Sequence, residues 1–324
     1  MAKNTEQTNT DLASARKNKS DEFYTAYKDV SDEISLYPKS EFMNKVVYCP
    51  CDNYKTSNFY KFFRDNYQKF NLKKLIATSY NENGKGTIIE KTWASESVRE
   101  LSGNGDFQSD ECKSILKSSD IIVTNPPFSL FRKFIQLLID YNKKFIILGN
   151  INGVTYREVF KHIVEKTLQL GGSIHSGDRE FEVPDEYPLD GIACRVSDGG
   201  KKYIRVKGVR WFTNMNYEHL PLKHTVLKEC YSEENYPKYD TYDAINVNTM
   251  KEIPIDYYGI MGVPITVIDK MNPNFECEFK DTNGNIIRFE IIGQLNSGNN
   301  QNYDFAKPII DGKCKFKRLL VKKI

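Results

Sequence analysis

Seven cysteines are scattered without regular spacing through 324 residues, an odd count that argues against a disulfide framework and for a reducing compartment. Histidine is scarcer still: four residues that do not cluster. Cys49-Pro50-Cys51 has no second pair to close a tetrahedral zinc site, so no metal is expected. No long apolar run is present to cross a bilayer, and no apolar signal core opens the chain, which predicts a cytoplasmic location. Charge of one sign is also lacking. The formal net charge is +3, so global charge does not announce a nucleic-acid binder.

What is present is apolar and aromatic in quantity: 40% of residues are hydrophobic and 13% aromatic, enough for one large domain plus a smaller one. Positive charge is local rather than global. Lys201, Lys202, Arg205, Lys207 and Arg210 form one cluster; Lys313, Lys315, Lys317, Arg318, Lys322 and Lys323 form another. Such runs are either solvated faces or phosphate contacts.

A polar arm, Met1 to Ser20, is expected to be mobile. Beyond it, strands alternate with helices. An amphipathic stretch runs to about Pro38, and Lys45-Val-Val-Tyr-Cys49 reads as a buried strand. A turn follows at residues 50–53, then a helix near Ser57 to Phe70 with Ser57 as N-cap. Leu75 to Ser79 is a second strand, Thr87 to Leu101 a hairpin, and Gly103-Asn-Gly-Asp106-Phe107 a turn before a short helix. Strand Ile121 to Thr124, a helix from Ser129, strand Phe145 to Leu148 and a helix from Thr155 complete the series.

This spacing implies an α/β fold: a doubly wound, mostly parallel sheet, finished by an antiparallel hairpin near Tyr203 to Thr213. Beyond Cys230 the chain turns rich in Tyr, Asn, Asp and Pro, with short strands expected around Pro264 to Asp269 and Ile286 to Gln294. The expected division is therefore an arm over 1–20, a main domain over 21–230 and a smaller region over 231–324. In such sheets ligands bind beyond the carboxyl ends of the strands. Cys49 to Asp52, Ser79 to Tyr80 and Asn125 to Phe128 all fall there, and the Asp106-Phe107 turn can reach the same rim.

One stretch carries the chemistry: Asp120-Ile-Ile-Val-Thr-Asn125-Pro126-Pro127-Phe128. Two prolines remove two backbone donors and restrict φ, and Pro126 pushes Asn125 towards an extended conformation. The result is a stiff lip of acceptors, the Asn125 side-chain oxygen and the Asn125 and Pro126 carbonyls, with the ring of Phe128 beside it. Acceptors so placed grip both N–H bonds of an exocyclic amine, aiming its lone pair at an electrophilic methyl group by positioning and preorganisation alone. The competing reading is a plain turn after a strand.

Several separate motifs then agree. They are Ser20-Asp-Glu-Phe-Tyr-Thr25, Val46-Val-Tyr-Cys49 with Cys51-Asp52, Leu75-Ile-Ala77, Gly103 to Phe107, Thr124-Asn-Pro-Pro-Phe-Ser-Leu-Phe131, Tyr236-Pro-Lys-Tyr-Asp240 and Gly262-Val-Pro-Ile-Thr266. Together they closely resemble the EcoRI-type adenine-specific DNA methyltransferases over nearly the whole chain. The resemblance implies the class I S-adenosylmethionine-dependent methyltransferase fold with a carboxyl-terminal recognition region. It implies N6 methylation of an adenine flipped out of double-stranded DNA, at a short palindrome such as GAATTC, in a restriction-modification setting with a cognate endonuclease.

By the same resemblance, Asn125, Pro126, Pro127 and Phe128 are the catalytic residues. S-adenosylmethionine would be held by Tyr24 and Thr25 at its methionine part, by Cys49 at the end of the first strand and by Asp52 in the loop after it. Ser79 stands where a ribose-binding group is found, with Glu82 as a substitute; Asp106 and Phe107 would serve the adenine, and Asn125 borders the cofactor as well. A monomer is expected. The loop Cys49-Pro-Cys-Asp-Asn-Tyr54 departs from the common pattern, having no glycine where backbone usually approaches the cofactor.

Other chemistries stay open at this point. N4-cytosine methylation needs the same acceptors, and RNA guanine-N2 and protein-glutamine methyltransferases share the Asn-Pro-Pro-aromatic device. A C5-cytosine enzyme would need a cysteine after a proline, which Pro50-Cys51 mimics far upstream of Asn125. A DNA-binding regulator with an inactive core is the alternative from a different class.

Overall fold

The computed structural model describes residues 25–175, 177–183, 194–296 and 306–324. The arm over 1–20, together with Asp21, Glu22 and Tyr24, lies outside the described residues. By contact the chain divides into two units: Met1–Asn150 with Gly171–Glu218, and Ile151–Leu170 with His219–Ile324.

In the first unit the strands form as their apolar runs predict: β1 (Val46–Cys49), β2 (Lys74–Ser79), β3 (Thr87–Lys91), β4 (Glu96–Glu100), β5 (Ile121–Thr124) and β6 (Lys144–Asn150). They lie in the order β4-β3-β2-β1-β5-β6, followed by Val209–Thr213. The pairs β1–β2, β1–β5 and β5–β6 are parallel. The β2–β3 and β3–β4 pairs and the pairing of Val209–Thr213 with β6 are antiparallel. Register between β1 and β5 is pinned at the strand entrance, where Val46 N donates to Asp120 Oδ2 at 2.7 Å and Asp120 N to Val46 O at 2.9 Å.

Both faces of this sheet are covered. On one face α1 (Tyr27–Ile34) and α2 (Asn58–Asp65) pack Val30, Ile34, Phe59 and Phe63 into a cluster with Val47, Leu75, Ile121 and Val123. Alternation sends Tyr48, Ile122 and Phe212 to the other face. There α3 (Asp110–Ser118) and α4 (Phe131–Asp140) lie. Helix α4 buries Phe131, Phe134, Ile135 and Leu138, an i, i+3, i+4, i+7 stripe. It sits so close to β6 that a Cβ on Gly149 would fall 2.3 Å from the Phe131 ring. Helices on both faces of a mostly parallel sheet make this the doubly wound α/β arrangement that the strand–helix alternation predicts.

Val209–Thr213 completes the sheet as the sequence indicates, but Tyr203 to Thr213 is not one hairpin. Lys202–Lys207 instead joins Asp178–Val183 and Cys194–Val196 in a separate three-stranded sheet. The break is at Gly208, whose φ of 70° turns the chain between the two sheets.

The second unit holds helix α5 (Arg157–Val164), which the alternating pattern had grouped with the preceding strands. Its sheet runs Ile245–Asn246, Met261–Pro264, Arg318–Lys323, Ile286–Leu295, Glu276–Lys280. Pro264 to Asp269 is not a strand: the strand ends at Pro264, and Ile265–Lys270 coils as a 3-10 helix, with Pro264 at φ −54° leading into it. Two separate sequence blocks meet here. Tyr239 donates to Asn246 Oδ1 at 2.8 Å, and a Cβ on Gly262 would fall 2.5 Å from the Tyr239 hydroxyl.

Candidate active site

The strand order reverses at β1, with β2 on one side and β5 on the other, so a crevice opens beyond the carboxyl ends of these three strands. The chain fills its rim with the segments the sequence singled out. A cavity of about 100 Å³ is lined there by Thr25, by Cys51 to Asn53 after β1, by Ser57 to Phe59 at the start of α2, by Ser79 and Tyr80 after β2, and by Asn125 and Pro127 after β5. Since one water needs roughly 10–15 Å³, this opening is larger than a packing defect. A second cavity shares Asn53, Ser79 and Tyr80 with the first and extends over Asn81, Lys85 and Thr87.

Asp52 organises the corner. Its N–H donates to Thr78 O at 2.8 Å, tying the loop to β2. Its Oδ1 accepts from the Ser57 hydroxyl at 2.6 Å and its Oδ2 from the Thr124 hydroxyl at 2.6 Å. Ser57 Oγ in turn accepts from Phe59 N and Tyr60 N, so the residue that caps α2 also anchors the acid. Thr124 Oγ1 additionally contacts the Pro50 carbonyl. The buried carboxylate thus joins the loop after β1, the start of α2 and the end of β5.

The missing glycine is explained at Cys51, whose φ of 61° gives the loop the left-handed turn that glycine would supply. A non-glycine residue there costs about 1–2 kcal/mol, offset by the hydrogen bonds the turn makes possible. Cys49 lies fully buried one step below, and burial pushes its thiol well above the ordinary cysteine value. Cys51, not Cys49, faces the cavity.

At the acceptor lip, Asn125 and Pro127 line the cavity while Pro126 is buried behind them. Phe128 is only 9% exposed and packs edge-on against Phe181, ring centroids 6.5 Å apart at 89°. The lip therefore rests on the three-stranded sheet.

Other expected residues fall at different depths. Thr25 is buried in the cavity wall, and its hydroxyl has no hydrogen-bond partner among the described residues. Its carbonyl accepts from Asn58 Nδ2 at 2.8 Å. Ser79 borders both cavities, with its hydroxyl 2.6 Å from Thr87 Oγ1. Glu82 lines neither cavity.

Asp106 is half-buried and caps its own turn, accepting from Gln108 N at 2.8 Å. Phe107 is buried edge-on against Phe134 at 5.1 Å. Neither lines the cavities, yet their turn does abut the rim: a Cβ on Gly105 would fall 2.2 Å from the Ser79 carbonyl. Tyr24 lies outside the described residues.

Sequence reasoning missed Asn53, Ser57 as partner of Asp52, and Thr124. The only local signal was a cap serine five residues after an acid; Thr124 had none beyond its place before Asn125. The donor set suits an amphiphilic ligand with amino-acid and nucleoside parts: hydroxyls at Thr25 and Ser79, an amide at Asn53, and the amino end of α2, which favours a carboxylate. No cluster of His, Cys, Asp or Glu among the described residues could hold a metal ion, and no described helix is long and apolar enough to cross a membrane.

Comparison with known proteins identifies the family. The family model described as "Adenine-specific methyltransferase EcoRI" matches residues 11–99 and 90–324. The chain is 41% identical to the type II methyltransferase M.EcoRI of Escherichia coli, over 99% of this chain and 98% of that protein. It is 36% identical to the type II methyltransferase M.MgeORF184P of Mycoplasma genitalium, over 95% and 97% respectively. With the type II methyltransferase M.MpnI of Mycoplasma pneumoniae it shares 40% identity, over 80% of this chain and 82% of that one.

Proposed function

This chain belongs to the EcoRI-type adenine-specific methyltransferases, and we propose that its β1–β2–β5 corner holds S-adenosylmethionine against the Asn125 lip. The chain is a site-specific DNA methyltransferase acting on N6 of adenine. One observation carries the site assignment: Asn125 and Pro127 share a single cavity with Thr25, Asp52 and Ser79, so acceptors for an amine and donors for a cofactor meet at one place.

Thr25 and the first turn of α2 would hold the methionine end. Ser79 would take the ribose, with the Asp106-Phe107 turn, which abuts Ser79, serving the adenine end. When bound, S-adenosylmethionine supplies an electrophilic methyl group. Asn125 Oδ1 and the Pro126 carbonyl would accept the two N6 hydrogens of the target base, turning the nitrogen lone pair towards the cavity. Asp52 already accepts a hydroxyl on each oxygen, so it aligns the corner rather than acting as a base. A stacked, paired adenine cannot present N6 to a lip held this way, so the base must leave the helix. We assign the remaining exposed part of Phe128 to the extruded ring.

The setting follows from the same reading: a monomer in the cytoplasm, modifying a short duplex sequence that a cognate endonuclease would otherwise cut. Incubation with S-adenosylmethionine and duplex DNA, then nucleoside analysis and sequencing of the modified positions, should show N6-methyladenine in one context. N4-methylcytosine, or modification of RNA or protein alone, would overturn it.

A further inference from the structure

Phe316 is 78% exposed, in the run Lys313-Cys-Lys-Phe316 of which every residue is exposed. A single exposed hydrophobic is ordinary on a surface; Phe316 stands apart as the most exposed large hydrophobic side chain among the described residues and as part of a lysine-bearing run.

The segment is held rigidly. Ile309–Ile310 and Lys313–Cys314 form a tight hairpin, turned by Asp311 at φ 50° and Gly312 at φ 69°. Asp240, the last residue of the Tyr236–Asp240 motif, clamps it twice: its N–H donates to Ile309 O at 2.8 Å, and its Oδ2 accepts from Gly312 N at 2.9 Å. Lys315 N closes the exit by donating to Pro308 O at 2.7 Å. Lys315 directly precedes Phe316 and Lys313 lies two residues earlier in the hairpin, and neither lysine makes an ion pair among the described residues. An exposed aromatic at the exit of a clamped hairpin that carries two uncommitted cations has the chemistry of a phosphate-lined groove rather than of an apolar surface.

We propose that this hairpin docks on duplex DNA, with Phe316 against the sugar–base edges of a groove and Lys313 and Lys315 on the phosphates beside it. The assignment rests on the DNA-methyltransferase reading and adds a contact far along the chain from the Asn125 lip. Asp240 is a positioning residue: it presents the hairpin and touches no DNA.

The test is binding of duplex DNA carrying the modified sequence, by fluorescence anisotropy at several salt concentrations, with cofactor binding followed by calorimetry. Phe316→Ala should weaken DNA binding roughly five- to a hundredfold while leaving cofactor affinity as in wild type. Lys313→Ala with Lys315→Ala should lower the slope of log K against log salt by about two, the signature of two lost phosphates. Because these side chains are exposed, melting temperatures should match wild type, and Asp240→Ala should weaken binding without altering the salt slope. Wild-type DNA affinity and salt slope in all three variants would overturn the inference while leaving the enzyme reading intact. A wild-type protein that neither binds nor methylates duplex DNA would end both. A dimer split by Phe316→Ala would assign the ring to self-association instead.

Discussion

Thr124 Oγ1 lies 2.6 Å from Asp52 Oδ2, so the residue just before the Asn125 lip is hydrogen-bonded to the acid of the loop after β1. Neither residue is near the other in sequence; the parallel pairing of β1 with β5 brings their ends together. The loop after β1 and the Asn125 lip are thus one assembly, and a change at either should be felt at both.

Thr124→Val keeps the shape and removes the hydroxyl that Asp52 Oδ2 accepts from, at an expected cost of about 1–3 kcal/mol in urea unfolding. The KM for S-adenosylmethionine should rise more than kcat falls. Unchanged unfolding together with an unchanged KM would show that the link is incidental.

Asn125→Ala removes the side-chain acceptor from the cavity wall. We expect kcat to drop by about 10²–10³, as when one preorganised partner is lost, with cofactor affinity close to wild type by calorimetry. Turnover near normal would remove Asn125 from the mechanism.

Phe128→Ala has two expected effects, because the ring is packed against Phe181 and is also assigned to the extruded base. The packing loss should destabilise the protein by about 3–5 kcal/mol at most. The stacking loss should appear as a difference between substrates: kcat/KM should fall further on paired DNA than on DNA whose target adenine is mispaired, by roughly five- to a hundredfold. Equal losses on both would leave only the packing role.

Glu33 supplies the pH prediction. Its carboxyl is fully buried and accepts from Gly172 N, Ser173 N and the Tyr37 hydroxyl. Burial nevertheless raises its pKa above the ordinary 4.5. A raised folded value means that the protein holds the proton where the unfolded chain has released it. The contribution is therefore complete below pH 4.5 and is lost as pH rises through the elevated value. Unfolding free energies measured from pH 4.5 to 7 should fall in wild type relative to Glu33→Gln, whose side chain does not titrate. Parallel curves would contradict the assignment.

The elements of the main sheet were legible because each is a local matter. Val46 to Cys49, Lys74 to Ser79 and Ile121 to Thr124 are short apolar runs bounded by turn residues, and Ser57 announces α2 by its hydroxyl. The break at Gly208 was not legible, since strands on either side of one glycine alternate alike whichever sheet they join. Helix α5 likewise shows the periodicity of its neighbours and nothing of the unit it packs in.

At the site, covalent chemistry written into the chain determined the rigid lip: two prolines after Asn125 restrict the backbone in any fold. The motifs likewise identified the family. Tertiary structure alone decided that Asp52 is divided between Ser57 and Thr124, that Cys51 takes the turn of an absent glycine, and that Asp106 and Phe107 stand beside the cavities rather than in their walls. Those facts follow from strand order and from which buried polar groups must find partners once chain ends converge, and neither is encoded in local periodicity.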